Sequence, residues 1–195
     1  MNTLEDAWNW YKESKEQHRL IQRLARNYWD DLPWEGKLDR DDHFKQADKD
    51  KILHSVTRGM EHLDDLAVLV LFSAFESLVR SRIEGQLRIV RNTIEHPVLG
   101  KALEEAIQRI EEGSFHWVLE PFKSKGEEFR KHIEEVNQVR RYRNWVAHGR
   151  RGKKPEAVSP AIARDRLNRL FELLIKMDAS EPDPETATGV GPASV

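Results

Sequence analysis

Three side chains suited to acid–base and phosphate chemistry stand within six residues of one another: Arg143, Asn144 and His148. An arginine is a permanent cation that grips phosphate oxygens with two parallel N–H donors. An imidazole gives and takes protons, and an amide orients either partner. Around them lies the most basic stretch of the chain. Arg140, Arg141, Arg143, Arg150, Arg151, Lys153 and Lys154 fall within residues 139–154, with no Asp or Glu among them. Setting these seven aside leaves 25 of the 32 Lys+Arg against 34 Asp+Glu, a net of −9 where the whole chain carries −2. One concentrated cationic patch on an otherwise acidic protein points to a local anionic partner.

The motif closes a predicted helix over residues 127–148. Phe129, Ile133, Val136 and Val139 recur at helical spacing, and Arg143 and Val146 continue their stripe. At about 100° per residue, Asn144 and His148 share one face within hydrogen-bonding reach, so the amide reads as the partner of the histidine. A guanidinium at the end of an apolar stripe needs a carboxylate, an interface or a bound anion, because burying it unpaired is costly. The stripe is therefore expected to bury against a second copy of itself. Gly149 sits where a left-handed C-terminal cap belongs, and Ser159 and Pro160 where the next helix starts. Helix-end capping and ion pairing also fit Arg143 and His148 taken alone, and the basic run also fits a solvated face.

The elements that must hold this segment are helical too. Residues 2–28 read as an amphipathic helix capped by Thr3, with Trp8, Tyr11, Leu20, Ile21, Leu24, Ala25 and Tyr28 at roughly helical spacing. A loop rich in Asp follows, with a helical pattern resuming near Phe44 and Gly59 placed to bend it. Residues 66–94 begin apolar nearly all round and narrow to a stripe of Phe72, Phe75, Val79, Ile83, Leu87, Val90 and Ile94, the mark of a central helix. A shorter helix over 99–112 and a short element over 114–122 lead into the motif helix. A closing helix runs to about residue 177, with Ile162, Leu167, Leu170, Phe171, Leu174 and Ile175 facing inward. The expected fold is all-α. Residues 1–42 would form a helix and loop appended to a helical bundle over 43–178, with 179–195 a disordered tail.

The heptapeptide RNWVAHG at 143–149 resembles the Arg-x4–6-His signature of HEPN domains, helical domains named for nucleotide binding in higher eukaryotes and prokaryotes. Asn144 occupies the position that is commonly polar in that family. The segment LFSAFESLV at 71–79 resembles the central helix that often precedes the signature in prokaryotic members. The resemblance implies a HEPN-type bundle with an extra N-terminal helix. It also implies a metal-independent endoribonuclease of the toxin or antiphage-defence kind, acting as a homodimer whose two signatures meet in one composite cleft. His148 would then be the general acid/base at the ribose 2′-OH or the leaving 5′-oxygen. Arg143 would hold the phosphate, and Asn144 would orient His148 or contact phosphate. The products would be a 2′,3′-cyclic phosphate and a 5′-OH.

On this view Arg140, Arg141, Arg150, Arg151, Lys153 and Lys154 contact the RNA backbone. Tyr142 and Trp145 are placed to stack on bases, although packing suits Trp145 as well. Glu76 is placed to pair with Arg143 or tune His148, or else stands as a rim glutamate. The expected partners are RNA, a second copy of the chain, and a cognate antitoxin or regulatory protein. A non-catalytic HEPN module that binds nucleotide, RNA or a partner protein is the alternative, and a structural helical dimer is the third reading.

Composition narrows the rest. The chain has no cysteine, which removes disulfides, thiolate zinc sites and cysteine nucleophiles and fits a reducing cytoplasm. The remaining histidines form no His-Glu-x-x-His pattern, so no metal and no cofactor is expected. Residues 1–10 lack the basic and apolar regions of a secretory leader, and the longest apolar run, 66–72, is too short to span a bilayer. A cytoplasmic protein without a membrane segment is expected.

Overall fold

The computed structural model describes residues 3–36 and 38–180. Among them are seven α-helices, short 3-10 turns and no strand, so the fold is all-α. Helix α1 spans Leu4–Asn27, and Thr3 caps it by accepting the Asp6 N–H at 3.0 Å. After the short α2, Asp42–Lys45, the chain enters α3, Lys49–Thr93. Asp48 caps α3 by accepting from the Lys51 N–H at 2.8 Å, which separates it from the helical pattern that begins near Phe44. At 45 residues α3 is about 67 Å long. Helices α4 (Pro97–Glu112) and α5 (Phe115–Leu119) and a 3-10 turn lead to α6, Glu127–Ala147. Helix α7, Pro160–Ser180, closes the fold, with the Ser159 hydroxyl accepting from the Ile162 N–H.

Helix α3 is the spine, packed against α1, α4, α6 and α7. Its Leu71, Phe72, Phe75 and Val79 are fully buried. They meet Ile133, Val136 and Val139 of α6 and Leu167, Leu170 and Leu174 of α7 in one core. Phe115 of α5 stands edge-on to both Phe72 and Phe75, with ring centroids 5.7 Å away in each case. Each such side chain contributes about 1.5–3 kcal/mol of burial, which holds α5, α6 and α7 against α3. Leu4 and Ala7 of α1 join the same core.

Three expectations change. The apolar stripe of α6 is buried inside its own chain, so it is not free to meet a second copy. Helix α3 runs unbroken through Gly59, which admits α1 there, since a Cβ would lie 3.0 Å from Nε2 of His18. Ile162 and Ile175 of α7 are exposed, as are Leu20, Ile21, Leu24 and Tyr28 at the far end of α1. Periodicity identified the amphipathic helices but overestimated how wide a face each one buries. The expected tail falls almost wholly outside the described residues, since α7 continues to Ser180. Among the described residues no helix is long and apolar enough to cross a membrane.

Candidate functional site

The motif lies where α6 ends against α3. His148 is the C-cap residue, with φ −89° and ψ 21°. The next two residues complete a Schellman turn: the Gly149 N–H donates to the Val146 carbonyl at 3.0 Å, and the Arg150 N–H to the Trp145 carbonyl at 2.8 Å. Both turn residues are left-handed, Gly149 at φ +71° and Arg150 at φ +60°. Glycine adopts that region freely, whereas for arginine it costs about 1–2 kcal/mol. Something else must hold Arg150 there.

That something is Asp65 on α3, one of two buried polar or charged residues among those described. One carboxylate oxygen accepts from the Tyr142 hydroxyl at 2.6 Å, and the other is ion-paired with the Arg150 guanidinium. Burial, together with the carboxylate at its hydroxyl, pushes the Tyr142 phenol up to about 12. The same carboxylate holds the Arg150 guanidinium in its charged form. Trp145 packs beneath, 5.9 Å from the Tyr142 ring, with the charged ends of Arg150 and Lys154 each 5.8 Å from its own ring. An open depression of about 390 Å³ lies in front, lined by His62, Asp65, Leu66, Val146, Gly149 and Arg150.

The outer side of α6 carries the other motif residues. Arg140, Asn144 and His148, four apart, form a row up that side. Arg143 flanks the row: its guanidinium lies over the Phe72 ring at 5.6 Å and donates to the Asn144 side-chain oxygen at 3.0 Å. Its Nε–H is buried and has no hydrogen-bond partner among the described residues. The Asn144 amide thus serves Arg143. Asn144 meets His148 through the backbone, its carbonyl accepting the His148 N–H at 3.0 Å. The His148 imidazole is exposed and makes no hydrogen bond among the described residues.

The other expected site residues divide. Arg151 and Lys153 are exposed, with no ion pair among the described residues. Arg141 is ion-paired with Glu134 at 2.6 Å in an exposed position, and Arg140 donates to the buried Asn137 at 3.2 Å. Tyr142 is only 9% exposed, so it holds Asp65 and does not present a face for base stacking. Glu76 lies apart from Arg143 and His148 as regards bonding: its carboxylate pairs with Arg80 at 2.7 Å. Arg80 in turn donates to the carbonyls of Ile110 and Gly113 at the end of α4.

Asp65 was the residue not singled out from the sequence, and a signal for it exists. Asp64 and Asp65 are the only charged residues between His62 and Glu76, directly before the longest apolar run. A carboxylate abutting such a run must have a partner. Among the described residues no three His, Asp or Glu side chains gather as a metal site. No protein-family model, curated protein or solved structure matches the chain.

Proposed function

We propose that the chain is a HEPN-type endoribonuclease that cuts RNA without a metal ion, as a toxin or defence effector. The observation that carries this reading is the pairing at the end of α6. An exposed imidazole that makes no hydrogen bond among the described residues stands one turn beyond Asn144, whose side-chain oxygen accepts from the Arg143 guanidinium, and the buried Arg143 Nε–H has no partner among those residues. In the reaction, the ribose 2′-oxygen attacks phosphorus and the bond to the 5′-oxygen breaks. One proton leaves the 2′-OH and one reaches the 5′-oxygen. His148 serves one of these transfers, and Arg143, aimed by Asn144, holds the phosphate as charge develops. Arg151, Lys153 and the exposed portions of Arg140, Arg141 and Lys154 supply backbone attraction. The 2′-OH requirement selects RNA over DNA.

Two proton transfers call for two groups, which a second copy of the chain supplies. Since the α6 stripe is spent on the internal core, the pairing surface lies elsewhere. The outer face of α3 suits it: a groove of about 780 Å³ lined by Leu66, Leu69, Val70, Ser73, Ser77 and Leu78, among others. Leu66 lines both this groove and the depression at the motif, so a two-fold contact there brings two motif ends together. A second, regulatory protein is the further partner such an effector requires.

The test incubates wild type, His148→Ala and Arg143→Ala with mixed RNA in chelator and maps the ends. Cyclic-phosphate ends from wild type alone, lost on 2′-deoxy substitution at the cut, support the reading. Cleavage that requires a divalent metal, or that persists in both variants, overturns it. Tight RNA binding without turnover points instead to the non-catalytic module. Leu69→Glu separates the dimer question: it should give a folded, inactive monomer by sedimentation, and an active monomer refutes the shared site.

A further inference from the structure

We propose that Asp65 is the positioning residue of this site, holding both flanks of the motif so that His148 and Arg143 keep one fixed relation. The proposal rests on the ribonuclease reading only for its catalytic consequence. Its geometric content stands on the contacts of the Asp65 carboxylate.

Those contacts bracket the motif. The Tyr142 hydroxyl, immediately before Arg143, binds one oxygen at 2.6 Å, and the Arg150 guanidinium, two residues after His148, binds the other. The Asp65 side chain is 11% exposed and both its oxygens are taken, so it does not reach substrate itself. Its ion pair adds to the backbone bond that Arg150 makes to Trp145, and together they offset the cost of an arginine at φ +60°. It also separates the cations of the loop. Arg150 belongs to the scaffold, while Arg151 and Lys153 remain exposed for an anion.

Hydrogen bonds to a charged group that fix a side chain are worth roughly a factor of ten or more in population. Without the Asp65 charge, Arg150 keeps only its backbone bond to Trp145 and its place over that ring, so the left-handed conformation is less favoured and the Schellman turn that seats His148 loosens. The central variant is Asp65→Asn, which keeps an oxygen for Tyr142 and removes the charge from Arg150. Asp65→Glu keeps the charge. Arg150→Gln breaks the same pair from its more exposed end, so it tests the idea even if a change at Asp65 disturbs folding.

Two readouts need no ribonuclease activity. Trypsin cleavage after Arg150, Arg151 and Lys153, mapped by mass spectrometry on the full chain, should accelerate about tenfold in Asp65→Asn. It should stay within about threefold of wild type in Asp65→Glu. The His148 imidazole signal, assigned by its loss in His148→Ala, should shift alike in Asp65→Asn and Arg150→Gln. In an active enzyme kcat should fall about tenfold in both, with KM nearly unchanged. Unchanged trypsin protection together with an unmoved His148 signal overturns the proposal, whether or not RNA is cut. A loosened loop and shifted imidazole in a protein that cuts no RNA supports the positioning role and overturns the ribonuclease reading instead.

Discussion

Tyr142 offers a test of the anchor in which the structure sets both sign and size. Its phenol is buried, donates to Asp65 and is pushed up to about 12 from an ordinary value of 10.0. In the unfolded chain the phenol ionises around its ordinary value, so from there upward the unfolded state loses a proton that the folded state keeps. Stability from this group is whole below pH 10 and falls as pH rises toward 12. A shift of two units amounts to about 2.7 kcal/mol once both states are ionised, and about 2 kcal/mol of that is lost by pH 11.5.

Tyr142→Phe removes the titrating group together with its hydrogen bond. At neutral pH the variant should be less stable by roughly 1.5–3 kcal/mol, the usual worth of a bond to a charged acceptor. Since the phenolate cannot donate to Asp65, that deficit should close as pH rises. Urea unfolding of both proteins from pH 8 to 11.5 measures it, and the difference between their absorbance titrations at 295 nm follows the phenol directly. Burial also raises the Tyr11 phenol, while its Tyr11 and Asp64 partners raise Lys15 against burial. Both proteins share these groups, so they cancel in the comparison. A stability gap that stays constant across the range, or a phenol in the difference spectrum that ionises near pH 10, refutes the buried Tyr142–Asp65 bond.

Gly149→Ala should cost about 1 kcal/mol in thermal unfolding, from the left-handed backbone alone, because an added Cβ there meets nothing within 4 Å. A larger loss would mean that the turn carries contacts beyond its conformation. Arg151→Ala and Lys153→Ala should each weaken RNA binding uniformly across sequences and reduce the slope of log affinity against log salt by about 1. Arg150→Ala should instead lower stability, and equal salt slopes for all three would refute the division between scaffold and contact cations.

The helices and most of their caps were legible because they rest on local signals. Thr3, Ser159–Pro160 and Gly149 act within three or four residues of where they stand. The identity of the core helix was legible because 66–72 is apolar on every side. What a polar group near the motif binds was not legible, because its partner is remote in sequence. The Asp65–Arg150 pair spans 85 positions and the Tyr142–Asp65 bond 77. Asn144 shows the limit even at short range. Its spacing from His148 allowed a side-chain pair, yet its amide turns to Arg143, because the Phe72 ring holds the guanidinium alongside it. Helical spacing states which residues share a face and leaves open which of two neighbours takes the bond.

The adjacent carboxylates at the start of the apolar run suggest why charge is used at this level of α3. Asp64 accepts from the Tyr11 hydroxyl at 2.7 Å and from Lys15 at 2.9 Å, fixing α1, while Asp65 fixes the end of α6. Neighbours on a helix point about 100° apart, so two consecutive acids address two different helices. Apolar residues of similar size would often serve stability as well as a buried ion pair, but an apolar contact tolerates sliding along the spine. A carboxylate with two named donors admits one register. Above this level Leu71, Phe72 and Phe75 supply non-directional packing. Below it α3 continues beside the exposed end of α1, where little of the core reaches. The acids therefore pin register at the edge of the core, where packing weakens and where the exposed imidazole of His148 must keep its place.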